Sequence, residues 1–160
     1  MDARVAQLLA RTKVVVQPDR LVWVSLPPSE RGRLQRRADR FHSPFCLTFS
    51  AREVSVVCRE VEWDQVGKGL RPRAVQRGYR MVTLDAELDL DVVGYLKVVT
   101  EHLARAGVPV SVVSTFHRDH LLVREEDLPR AQALLEALVR ECAGMPAAPE
   151  PSHRPGGGEP

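Results

Sequence analysis

The chain has 160 residues, 44% of them hydrophobic, enough to bury one real core or two small cores sharing an interface, which excludes wholesale disorder. Its 23 basic residues nearly cancel against 21 acidic ones to leave a formal charge of +2, so the arginine richness does not by itself mark a nucleic-acid-binding chain. Cys46, Cys58 and Cys142 form no CxxC pair or metal-finger spacing, the start MDARVAQLLARTK lacks the apolar core of a signal peptide, and no apolar run approaches the roughly 20 residues of a membrane span; a cytoplasmic protein is expected.

Residues 2–11 place Val5, Leu8 and Leu9 on one face of a short amphipathic helix, which needs a surface to pack against because so short a helix is marginal alone. Val14, Val15 and Val16 follow as a brief strand ended by Pro18-Asp19, and residues 21–26 make a second, stopped by Pro27-Pro28. Ser29 is placed to cap a helix over residues 31–39, where Leu34, Ala38 and Phe41 give a narrow apolar stripe among Arg31, Arg33, Arg36, Arg37 and Arg40. That basic face reads as a solvated surface, with a phosphate or nucleic-acid patch as the weaker alternative, since no aromatic residues interleave to stack bases. Residues 45–49 and 54–58 read as two strands joined at Ser50-Ala51-Arg52-Glu53, with Cys46 and Cys58 as core residues. From 59 to 77 the pattern dissolves into an irregular connection containing Trp63, Gly67, Gly69 and Pro72.

Alternation resumes at Tyr79, with Tyr79, Met81, Thr83 and Asp85 set against Arg80, Val82, Leu84 and Ala86. The stretch DLDVVGYLKVVTEHLARAG is then helical, capped by Asp89 or Asp91, with Val92, Leu96, Val99, Leu103 and Ala106 on one face and Gly107 at its end. Gly94 lies in its first turn, where glycine costs about 1 kcal/mol against alanine; tight packing or a close ligand would account for it. VPVSVVSTFHRDHLLV, residues 108–123, forms a hairpin whose polar corner gathers Ser114, Thr115, His117, Arg118, Asp119 and His120. A last helix runs from Asp127, its cap, to Cys142 on an apolar face of Leu128, Ala131, Leu134, Leu135 and Leu138, and the tail from Gly144 reads as disordered.

Strand, helix, strand, strand therefore occurs twice. This is the α+β, tandem ferredoxin-like (βαββαβ) pattern, antiparallel sheets with helices on one face. The expected organisation is an N-terminal helix or arm at 1–12, a first, degenerate unit at 13–76, a second unit at 77–143 and a disordered tail at 144–160. The second unit lacks a closing strand, which residues 13–17 are expected to supply.

The run RGYRMVTLDAELDLDVVGYLKVVTEHLARAGVPVSVVSTFHRDHLLVREEDLPRA resembles ACT-domain proteins of the small tandem type, related to the cytosolic arginine-sensor subunits, and FCLTFSAREVSVVC resembles the first repeat of such proteins. The most specific parts are Gly94 and the Ser114-Thr115-Phe116-x-x-Asp119 corner followed by Leu121-Leu122-Val123. The resemblance implies a regulatory module that binds a small molecule, commonly an amino acid, at an interface between paired units. It implies a ligand site of Asp89, Asp91, Val92 and Gly94 facing Ser114, Thr115, Phe116 and Asp119, with Thr115, Phe116 and Asp119 matching positions that line the arginine pocket of the arginine-sensing relatives. Val92 stands where those relatives place a glutamate, and with that carboxylate missing the expected ligand is a neutral amino acid, or none at all, rather than arginine. Physical chemistry agrees with such a site, because free N–H groups at a helix start attract a carboxylate and Asp119 can pair with an ammonium or guanidinium group.

Catalytic chemistry finds no footing. Ser111 and Ser114 have His117 nearby in sequence, but strand neighbours do not make a triad, and no GxSxG elbow, P-loop or dinucleotide fingerprint is present. His117 and Asp119 share a strand face while His120 points away, so a metal site lacks its third ligand. The sequence predicts a non-enzymatic binding protein with no metal or cofactor; its partner is a small molecule, a second copy or another protein, not a membrane, with nucleic acid disfavoured.

Overall fold

Among the described residues, 1–44 and 46–145 of a computed structural model, seven strands form one curled antiparallel sheet. The longest, β5 (Ala74–Asp85), has β1 (Lys13–Val16) and β2 (Leu21–Leu26) in succession along one edge and β7 (Asp119–Arg124) along the other. Outside β7 lies β6 (Val110–Ser114); outside β2 lie β4 (Val54–Arg59) and then β3 (Cys46–Phe49). Tyr79 pairs with Leu21 on one side and Arg124 on the other, which makes it the point where both halves of the sheet meet.

The period-2 alternation sorts the side chains. Val82, Leu84, Leu121 and Val123, with Val14 and Val16, pack beneath α1 (Ala3–Arg11), α4 (Tyr95–Arg105) and α5 (Leu128–Ala143) through Leu9, Val99, Leu103 and Leu135. Val22, Val24, Leu26, Val54, Val56 and Cys58 pack against Leu34 of α2 (Arg31–Gln35) and Trp63 and Val66 of α3 (Glu60–Val66). The fold is thus α+β with helices on one side of the sheet, as the sequence predicts. On the other side Leu21, Val57, Met81 and Leu122 are buried with the help of Trp23, Cys46, Tyr79 and Val113.

β1 pairs antiparallel with β5, Lys13 opposite Asp85 and Val16 opposite Val82, and Gln17 N–H donates to the Met81 carbonyl. β5 in turn begins five residues before the alternation that reveals it (Ala74 against Tyr79). Leu21 pairs with Tyr79 but Trp23 with Gln76, so β5 holds one residue more than β2 over this step, and Gly78 takes φ +78° there. A bulge inverts which residues face which side, and that slip hides the strand's first half from a reading of alternation.

Three local expectations are corrected. Residues 59–77 are not an irregular link, since α3 forms over Glu60–Val66 with Trp63 and Val66 buried. The helix expected over residues 31–39 is only α2, flanked by 3-10 turns at Pro28–Glu30 and Ala38–Arg40; Pro28 opens the helical path early, so Ser29 lies inside the turn and caps nothing. Its basic face is partly tied down: Arg31 stacks on Phe49 at 4.7 Å, Arg33 pairs with Glu30, and Arg37 donates to the Val66 and Lys68 carbonyls. Finally, Cys58 is buried in the core but Cys46 is only half-buried, on the helix-free face. Phe45, expected to open β3, and residues 146–160 of the expected tail lie outside the described residues.

Candidate functional site

The sequence places the α4 cap at Asp89 or Asp91, but the helix starts later. Gly94 occupies the N-cap at φ +95°, in the left-handed region that favours glycine, and no side chain caps the first-turn N–H groups that follow. Because the chain swings into the helix at Gly94, the two aspartates fall in the loop before it and pair instead with Arg4, Asp89 at 3.3 Å and Asp91 at 3.2 Å.

Facing this helix start is the β6–β7 turn. Thr115 N–H donates to the Arg118 carbonyl at 2.8 Å, the Thr115 hydroxyl to the same oxygen at 3.2 Å, and Ser114 Oγ to Asp119 Oδ1 at 2.5 Å. Leu88 N–H donates to the His117 carbonyl at 3.0 Å, which fixes the loop before α4 to the turn. Between the two elements lies a cleft of about 270 Å³.

Of the residues singled out from the sequence, Asp89, Val92, Gly94, Ser114, Thr115, Phe116 and Asp119 line this one cleft, and Asp91 does not. Sequence reasoning missed Leu88, Leu90, Tyr95, Leu96 and Lys97, and left His117 and Arg118 out of the site. A cap at Gly94 would have placed Tyr95, Leu96 and Lys97 in the first helical turn; the two aspartates, better caps by residue type, drew the start upstream.

Asp119 is the most buried charge of the cleft, only 8% exposed, with the Ser114 hydroxyl as its donor. The buried Tyr95 hydroxyl shares a 2.9 Å hydrogen bond with Thr12 Oγ1; burial above all, with Asp119's charge adding to it, pushes its pKa up to about 12 against the lowering effect of Thr12. His120 lies on the opposite sheet face, bonded to Thr83 Oγ1 at 3.0 Å, and burial lowers its pKa against the raising effect of the Asp119 charge. Arg118 Nε donates to Asp85 Oδ1 at 2.7 Å and, as the main cause, holds that carboxyl below the usual range. Lys97 has no ion-pair partner among the described residues.

The Ser114 hydroxyl donates its hydrogen bond to a carboxylate, not to an imidazole base, and among the described residues no three His, Cys, Asp or Glu side chains gather as a metal-binding group.

Residues 74–137 match the family model of the ACT domain. They include β5, α4, the β6–β7 turn and most of α5, and so the whole cleft. Among solved structures, a Vibrio cholerae protein of unknown function, described as a possible transport protein, is 18% identical with a TM-score of 0.66, covering 85% of this chain and 96% of its own. A protein from Agrobacterium tumefaciens is 25% identical with a TM-score of 0.63, covering 81% and 90%. The ligand-free regulatory subunit of aspartate kinase from Thermus thermophilus is 11% identical with a TM-score of 0.61, covering 79% and 97%. No curated protein matches the sequence. Among the described residues no helix is long and apolar enough to cross a membrane. The ACT match supports a small-molecule-binding, regulatory role.

Proposed function

We propose that the chain is a non-catalytic regulatory protein of the cytoplasm that binds an amino acid between the start of α4 and the β6–β7 turn. We read it as a tandem of two ACT-like units, residues 13–76 and 77–143, of the arginine-sensor type in architecture, with the cleft lying where units or paired chains meet. The observation that carries this reading is the uncapped helix start facing the buried Asp119 across a cleft near the small end of the ligand-pocket range. The first-turn N–H groups of α4 and the ammonium of Lys97 receive the α-carboxylate, and Asp119 receives the α-ammonium. A ligand held this way bridges residues 89–94 to residues 114–119 and acts by population shift, favouring the arrangement in which the two segments are close. The similarity in fold to an aspartate kinase regulatory subunit accords with a regulatory module.

A second reading has one observation in its favour. Leu90 and Phe116, which line the cleft, are 76% and 68% exposed, and Val93, next in the chain to the lining residues Val92 and Gly94, is 86% exposed; apolar side chains presented in this way suit a protein partner or a second copy. A thermal-shift series over the proteinogenic amino acids, repeated on Asp119→Ala, separates the two. Binding at a hundred times Kd stabilises by about 2.7 kcal/mol, so a genuine ligand raises Tm by several degrees and the variant loses the rise. A flat response to every amino acid refutes the first reading.

A further inference from the structure

We infer that the cleft selects an amino acid with an uncharged, apolar side chain; this rests on the amino-acid reading above and deepens it. The argument is a count of charges facing the cleft. Asp89 is engaged by Arg4 at 3.3 Å, and Arg118 by Asp85 at 2.7 Å. What remains is one negative group, Asp119, whose only side-chain hydrogen-bond partner among the described residues is a neutral hydroxyl, and one positive region, made of Lys97 and the adjoining first turn of α4. That complement matches the ammonium and carboxylate of a zwitterion; the other titratable side chain of the lining, His117, packs edge-on against the Phe116 ring at 4.7 Å, so no further carboxylate or guanidinium stands free to receive an ionised side chain.

The rest of the lining points the same way. Leu88, Leu90, Val92, Leu96 and Phe116 face the same cleft, and Leu90 and Phe116 hold most of their surface in water, so an apolar ligand side chain removes protein and ligand surface from water together. Val92 is the position where one added carboxylate changes the count. A glutamate there places a second negative charge beside the aliphatic wall, and a basic side chain then has a partner.

Isothermal titration with leucine, phenylalanine, aspartate and arginine tests this on the wild type, Val92→Glu and Phe116→Ala. The expected result is that leucine or phenylalanine binds at least about tenfold more tightly than aspartate or arginine, the scale on which single apolar groups discriminate in such pockets. Phe116→Ala weakens the apolar ligands and spares the fold, because its ring is mostly exposed. Val92→Glu shifts the preference towards arginine. Wild-type binding of aspartate or arginine at equal or higher affinity overturns the inference and leaves the amino-acid reading standing. No heat with any of the four, and no thermal shift with any amino acid, overturns both.

Discussion

Replacing Gly94 by alanine isolates the backbone geometry on which the cleft depends. A Cβ added there meets Val5 Cγ2 at 3.8 Å, an ordinary contact, so crowding contributes nothing and the whole effect is conformational. Holding an L residue in the left-handed region costs about 1–2 kcal/mol. Alanine also narrows the unfolded ensemble, which offsets about 0.4–1 kcal/mol of that. The net expectation is a loss of about 1 kcal/mol, or about 2–4 °C in Tm for a chain of this size. Asparagine enters the left-handed region more readily, so Gly94→Asn is expected to fall between the wild type and Gly94→Ala. Urea titrations with unchanged slope give the order directly. If Gly94→Ala matches or exceeds the wild type, or if the asparagine variant is the weaker of the two, the positive φ is not what holds the helix start in place.

Tyr95→Phe removes one buried hydroxyl, but Thr12 Oγ1 keeps its 2.9 Å bond to the Leu8 carbonyl, so urea unfolding should show a loss of only about 0.5–1.5 kcal/mol. Leu103→Ala empties a fully buried position under α4 and should cost about 2–5 kcal/mol by the same measurement; a cost under 1 kcal/mol would mean the helix packs elsewhere. In alkali, burial has pushed Cys58 up to about 12 from 9.0 and Tyr95 up to about 12 from 10.0, so the folded state holds both protons more tightly than the unfolded chain. The associated stability is complete below pH 9 and is lost as pH rises towards 12. Urea midpoints between pH 8 and 11 should fall, and Cys58→Val should flatten the first part of that fall.

The fold class could be read from alternation and helical spacing alone, because most of the elements concerned bury one clean face. Val82, Leu84, Leu121 and Val123 alternate without interruption, and α5 repeats its apolar residues through Leu135 and Cys142. What escaped was set by local irregularity or by distance. The first half of β5 was masked by the bulge at Gly78, and α3 by its shortness, since only Glu62, Trp63 and Val66 turn inward. At the cleft, the corner from Ser114 to Asp119 stood out because polar residues interrupt two apolar strands, while Lys97 did not, because its place depends on where the helix begins. The engagement of Asp89 and Asp91 by Arg4 joins residues more than eighty positions apart, and nothing local announces it.

β5 is hydrogen-bonded to β2 through its first half and to β7 and β1 through its second. Neither half of the sheet therefore has an edge it could keep if the other melted. Cutting the chain anywhere between Ala74 and Asp85 strips one half of its neighbour and exposes unpaired backbone. Unfolding should accordingly be a single event, and the amides around Tyr79 should exchange with solvent last, only when the whole molecule opens. The strand at the seam is a common wall: Leu84, near one end, is paired with Asp119, and Val75, near the other, with Val24 of β2, so one continuous backbone joins the cleft to the far half of the sheet.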